Sequence, residues 1–232
     1  MTEVKYNYNY IWSISLVAAI GGFLFGYDWV VVGGAKPFYE PYLGITTSAQ
    51  KGWGTSSALI GCIFGALLCL IKSDAWGRKP LLILAGFLFT LSAVGTGLAT
   101  DFFWYNVYRI VGGVAIGIAL NLSPMYISEM APSHLRGKLV ALNQLLIMIG
   151  VLSAQLVNWQ ISLLDEQLPA QATHEVIRQS WAGQYGWRWM FGVEAIPACF
   201  FFVIMIFMPE SVRWLVRDGQ LQKAERILTR IG

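Results

Sequence analysis

Three charged residues sit where charge is expensive. Asp28, Arg109 and Glu194 each interrupt a long apolar run. A charge inside a bilayer is costly and marks a functional site by default. Desolvation raises the proton affinity of a carboxyl, and a neighbouring guanidinium lowers it. A carboxyl that moves between those two settings takes up a proton in one and releases it in the other. Asp28 is expected to carry the proton, with Arg109 as its counter-ion. Glu194 is expected to compete for Arg109, so that the three titrate as one coupled unit. A static ion pair that holds helices together is the alternative reading of the same residues.

That chemistry needs elements to position it. A helix needs about 20 apolar residues to cross a bilayer. Six stretches qualify, at roughly 11–33, 54–71, 80–99, 103–124, 139–160 and 188–208. Only helices and closed barrels satisfy their backbone groups in lipid. Runs of this length without strand alternation predict an all-α membrane protein of six transmembrane helices. Helix one starts inside, so at about 1.5 Å per residue Asp28 falls in its outer third. Helices four and six start outside, which puts Arg109 and Glu194 one to two turns in. All three then share one outer layer. Gly21, Gly22 and Gly26 are expected to let helix one unwind beside Asp28. Gly22/Gly26, Gly61/Gly65 and Gly113/Gly117 repeat at four-residue spacing, which suits close helix approach.

Composition agrees. Only 12% of the 232 residues are charged, 14% are aromatic and 24 are glycine. Soluble domains run nearer a quarter charged. The net charge of +3 gives no electrostatic support for a nucleic-acid partner. The placement of cations says more. Lys5, Lys72, Arg78, Lys79, Arg136, Lys138, Arg213, Arg217, Lys223, Arg226 and Arg230 fall on one side of the six spans. The other side holds Lys36, Lys51, Arg178 and Arg188. Basic residues favour the cytoplasm, so both termini are expected there, in a cell (plasma) membrane. Trp53, Trp104, Trp159, Trp187 and Trp189 are expected at the outer headgroup layer. The first apolar stretch is too long for a signal peptide. Cys62, Cys69 and Cys199 have neither metal-ligand nor disulfide spacing and read as small packing residues. No nucleophile–base pair, metal cluster or phosphate loop is found, so neither an enzyme nor a cofactor is expected.

After the sixth span the pattern changes. Val212, Leu215, Val216, Leu221, Ala224, Ile227 and Leu228 recur at near-helical spacing among polar residues. The segment Glu210–Gly232 is expected to be an amphipathic helix on the cytoplasmic face. A solvated tail is the alternative. The polar stretch Gln160–Tyr185 carries no clear pattern.

Several strings resemble the sugar porter family of the major facilitator superfamily, in particular bacterial proton-coupled pentose and hexose symporters. They are Gly21-Gly-Phe-Leu-Phe-Gly-Tyr-Asp28, Gly77-Arg78-Lys79, Arg109-Ile-Val-Gly-Gly and Ser123-Pro-Met-Tyr-Ile-Ser-Glu129-Met-Ala-Pro132. Arg136-Gly-Lys-Leu, Asn143-Gln144 and Pro209-Glu210-Ser211-x-Arg213-Trp214-Leu215 complete the set, in order along the chain. The resemblance implies the N-terminal half of a twelve-helix transporter, built as two inverted three-helix repeats. It implies a monosaccharide and a proton as cargo, a C-terminal half as partner, and alternating access as mechanism. Asp28 and Arg109 would form the proton-coupling pair, modulated by Glu194. Gln144 would hydrogen-bond sugar hydroxyls and Phe25 would pack on the sugar. An amide offers both donors and acceptors to a polyol. An interhelical hydrogen bond is the alternative role for Gln144. Arg78, Glu129, Arg136, Glu210 and Arg213 resemble a cytoplasmic gate, with ordinary solvated charges as the alternative. Residues 1–208 would be the bundle, and 209–232 a helical segment leading to six further spans beyond Gly232. A proton-independent facilitator and a transporter-like sensor stay open.

Three regions depart from the family pattern. Ala75 stands where an Arg is usual and the usual glycines near Cys69 and Leu70 are absent, so a weakened gate is expected. Val151 replaces a second sugar-contacting glutamine, which leaves the identity of the sugar open. Val212 replaces a proline.

Overall fold

The computed structural model describes residues 6–165 and 173–231. Lys5, the stretch 166–172 within the polar segment Gln160–Tyr185, and Gly232 lie outside them. Five long helices come first: α1 (Tyr8–Tyr42), α2 (Ser48–Trp76), α3 (Arg78–Leu98), α4 (Phe102–Met130) and α5 (Arg136–Leu163). A short α6 (His174–Gln179) follows. The sixth span, Ala182–Phe207, is composite: a π-helical turn at Ala182–Gly186, then α7 (Trp187–Gly192) and α8 (Ala195–Phe207). Short helices α9 (Val212–Arg217) and α10 (Leu221–Ile231) end the chain. All six expected spans are present, and no strand occurs among the described residues.

The helices outrun their apolar stretches because their ends are capped. The Asn7 side chain accepts from the N–H of Tyr10, and Thr47 with Gln50 forms a capping box at α2. Asp101 caps α4. These side chains satisfy N–H groups that no helix can satisfy itself. The 35 residues of α1 reach about 50 Å, well beyond a hydrocarbon core of about 30 Å.

Packing repeats itself in the way two inverted units require. The first helix of one unit lies on the second of the other (α1 on α5), and α2 lies on α4 in return. The third helices, α3 and the sixth span, pack on α4 and α1 respectively and on each other. Glycine makes the tight crossings. A Cβ on Gly61 or Gly65 would strike the carbonyls of Ile110 and Val114 on α4. One on Gly113 or Gly117 would strike Ala58 and Cys62 on α2. Gly22, Gly26 and Gly150 do the same between α1 and α5. Helix α1 is continuous through Gly21, Gly22 and Gly26. The unwinding expected there does not occur, because these glycines serve close packing against α4 and α5 instead.

Helix breaking falls on the sixth span. Pro197 has no N–H for the carbonyl of Val193. Ile196 donates to that carbonyl instead (3.2 Å), and Glu194 donates to Phe191 (3.2 Å). The tightened turn leaves Glu194 at the break between α7 and α8.

Two further expectations need correction. Trp187 is fully buried, donates to the Gly183 carbonyl (3.1 Å) and packs on Tyr39 and Tyr42, whereas Trp53, Trp104, Trp159 and Trp189 are exposed. The tail is two helices broken at Gly219 (φ 77°) rather than one. Val212, Leu215 and Ala224 are buried, but Val216, Leu221 and Leu228 are exposed. Of the cysteines, Cys69 is buried as a packing residue, while Cys199 is exposed on α8. Asn7 donates to the carbonyl of Ile231 (2.8 Å), so both ends of the described chain meet on one side of the bundle.

Candidate functional site

The structure brings two of the three membrane charges into direct contact. Arg109 Nη1 of α4 lies 2.5 Å from Asp28 Oδ1 of α1, with both side chains almost wholly buried. The guanidinium also stands 5.6 Å from the centroid of the Phe191 ring. A desolvated cation gains from such a ring face. Tyr27 donates to the Met190 carbonyl (3.0 Å), which fixes α1 against α7 beside the pair. Glu194 is buried at the break that follows α7. Among the described residues it makes no ion pair with Arg109, although its carboxyl lies close enough to both Asp28 and Arg109 for their charges to act on it.

Each of the three charged residues keeps one buried polar atom without a partner among the described residues: Asp28 Oδ2, Glu194 Oε1 and Arg109 Nε. Burying polar groups unpaired is costly, and native proteins rarely do it without reason. Ionised carboxyl oxygens only accept, so a proton delivered to Asp28 or Glu194 would turn one of them into a donor.

A cavity of about 620 Å³ opens beside this cluster, between α1, α2 and α4. Its wall includes Phe25, Trp29, Thr55, Ser56, Leu59 and Arg109. Gln144 does not line this cavity and is exposed on α5. The amide that faces α1 is its neighbour Asn143, which lies against Gly22. Trp29 was missed by sequence reasoning. The available signal was its place one helical turn after Phe25 and one residue after Asp28.

A second charge cluster lies at the opposite end of the bundle. Arg78 is buried at the start of α3. It donates to the Ser73 carbonyl (2.9 Å), to Asp74 (3.2 Å) and to Glu129 of α4 (3.0 Å). Glu129 also accepts from the Ser211 hydroxyl. Glu210 accepts from the backbone N–H of Arg78 (3.1 Å), Lys79 (3.1 Å) and Ser211 (2.8 Å). Helix α3 has no side-chain cap of its own at Gly77. Glu210 supplies that cap from across the fold, where a carboxylate also complements the helix dipole. Burial pushes the Glu210 carboxyl above its usual range, and the three N–H bonds pull it partly back.

Arg136 and Arg213 are not in this network. Both are exposed, and neither makes an ion pair among the described residues. The buried face of α9 is Val212 and Leu215, which turns Arg213 outward. Arg217 reaches the cluster instead, 2.6 Å from Asp74 Oδ2, while Trp214 donates to the Asp74 carbonyl (2.9 Å). A guanidinium thus stands at Asp74 although position 75 is alanine.

A model of the sugar (and other) transporter family matches residues 14–232. The chain belongs to that family. It is a family of transporters rather than of enzymes, and this sugar transporter family chain is a multi-pass protein of the bacterial plasma membrane. It is 38% identical over 254 residues to the D-xylose-proton symporter of Escherichia coli (strain K12), covering 99% of this chain and 49% of the relative. It is 39% identical to the glucose transport protein of Synechocystis sp. (strain PCC 6803), over 97% of this chain and 46% of that one. It is 34% identical to the arabinose-proton symporter of Bacillus subtilis (strain 168), over 98% and 46% respectively. Its fold matches the major facilitator superfamily proton:xylose symporter XylE bound to 6-bromo-6-deoxy-D-glucose. The TM-score is 0.85 at 38% identity, over 97% of this chain and 50% of that one. The chain spans about half the length of the curated relatives it matches.

Proposed function

We propose that this chain is the N-terminal six-helix half of a secondary active transporter that moves a monosaccharide together with a proton. Residues 1–208 form the bundle, and 209–232 lead toward a C-terminal half that completes the sugar site. The excess of Lys and Arg on one face supports cytoplasmic termini.

The observation that carries the reading is the buried Asp28–Arg109 pair beside a Glu194 oxygen that has no donor. In this scheme the ion pair holds while Asp28 is ionised. A proton arriving between Asp28 and Glu194 neutralises one carboxyl and loosens its hold on Arg109. Glu194 tunes that step because a second negative charge favours proton uptake by the pair. Phe25 contributes an apolar contact to the sugar, and Gln144 projects from α5 to donate to and accept from its hydroxyls. At the cytoplasmic edge, Arg78, Glu129 and Glu210 latch α2, α3, α4 and the tail in one conformation. Arg136 and Arg213 stay free to engage the other half.

The test is uptake against a gradient. Vesicles carrying the native protein, given an imposed pH gradient, should accumulate sugar. Asp28→Asn should abolish that accumulation while leaving sugar exchange at equilibrium. Undiminished uphill uptake in the variant would reject proton coupling through Asp28. A wild-type protein that equilibrates sugar but ignores the pH gradient would make the chain part of a facilitator.

A further inference from the structure

Trp29 follows Asp28 on α1, and 57% of it is exposed. An exposed indole inside a span faces either lipid or a wet cavity. Its neighbours on the wall decide between these. Arg109, Thr55 and Ser56 line the same 620 Å³ cavity. A guanidinium and two hydroxyls on a lipid-facing wall would be costly. On a wall that meets water and a polar solute they are not.

The rest of the wall is apolar, with one aromatic strip. The Phe25 and Trp29 rings lie one helical turn apart on α1, with centroids 6.3 Å apart and planes tilted by 51°. The Thr55 and Ser56 hydroxyls donate to the carbonyls of Lys51 (2.9 Å) and Gly52 (2.7 Å). Their oxygens therefore keep lone pairs to offer. Gly33, one turn beyond Trp29, leaves open space where a side chain would otherwise fill the cavity. A monosaccharide ring has an apolar C–H face and a hydroxyl rim. An indole matches the first, and hydroxyl acceptors match the second.

We propose that Trp29 is the platform on which the C–H face of the monosaccharide lies, on the outer side of the Asp28–Arg109 pair. This rests on the sugar–proton reading above and adds a residue that sets sugar affinity. The indole touches the sugar, while its neighbour Asp28 holds the proton. Sugar lying there covers the part of the cavity that reaches Arg109, so the two cargoes meet across one peptide bond of α1.

The test compares Trp29→Leu and Trp29→Phe with the native protein in cells expressing the native gene, at matched surface expression. Leucine keeps an apolar side chain but removes the ring, and phenylalanine keeps a ring. Trp29→Leu should raise the KM for sugar by about five- to tenfold, and Trp29→Phe by no more than about twofold. Maximal rate and the pH dependence of uptake should change little in either, and the sugar-induced change in tryptophan fluorescence should disappear in both. A wild-type KM in Trp29→Leu would overturn the platform while leaving the sugar reading intact. Absence of any sugar uptake by the native protein would bring down both.

Discussion

The two charge clusters of this bundle are built on opposite terms. At the end of the bundle where the described termini meet, most charged atoms are answered, with Arg78 Nε the exception. Arg78 has three acceptors, Glu129 has a guanidinium and a hydroxyl, and Glu210 has three backbone donors. In the Asp28–Arg109–Glu194 layer the charges are buried as deeply but served sparsely. One ion pair joins Asp28 to Arg109, and an atom on each of Asp28, Arg109 and Glu194 has no partner. A saturated network specifies one arrangement. A sparse one leaves room for a second arrangement that a proton or a solute completes. Under the proposed function the first would act as a latch and the second as a switch.

Breaking each cluster should expose that difference. Arg109→Leu strands Asp28 and Glu194 as two buried carboxyls, which is expected to cost about 3–5 kcal/mol. Thermal unfolding in detergent would show it as the largest loss in this series. Arg78→Gln should cost less, about 1–3 kcal/mol, because Glu129 keeps the Ser211 hydroxyl. If the two variants lost equal stability, the contrast between sparse and saturated clusters would fail.

Glu210 gives a finer probe through pH. Its folded carboxyl holds a proton more tightly than the ordinary value of 4.5, because burial outweighs its three N–H bonds. The folded chain therefore binds more protons there than the unfolded chain does. Stability from this group is present below 4.5 and is lost as pH rises through the raised folded value. Glu210→Gln should flatten that part of the stability–pH curve, read by thermal midpoint from pH 7 down to pH 4.5. A slope unchanged by the substitution would mean that Glu210 does not titrate in the latch. Arg217→Ala should have the smallest effect of all. Its ion pair with Asp74 is about half exposed on both sides, and water screens such pairs. A thermal midpoint shifted as far as in Arg78→Gln would promote Arg217 to a principal member of the latch.

Much of this was legible before any coordinates. Span length and apolarity placed six helices, and the three glycine pairs marked the crossings where backbones touch. Counting residues from each helix start put Asp28 and Arg109 in one layer, since rise per residue is fixed. What could not be read depended on rotation and on long-range partners. Helical spacing does not say that Asn143 packs against α1 while its neighbour Gln144 stays exposed. Nor does it say that the sixth span breaks at Glu194. That break follows from Pro197, whose missing N–H was visible but whose consequence was not. Arg217 escaped notice for a related reason. It sits four residues after Arg213, and only the buried face of α9 decides which of the two reaches Asp74.

The most direct measurement of the switch is infrared difference spectroscopy of the native protein on acidification, repeated in Asp28→Asn and in Glu129→Gln. With Glu210→Gln as the common background to remove that group's own signal, a carboxylic C=O band that grows on acidification should be lost with Asp28→Asn and survive with Glu129→Gln. A band that persists in Asp28→Asn and is lost in Glu129→Gln would place the titrating proton in the latch and contradict the account.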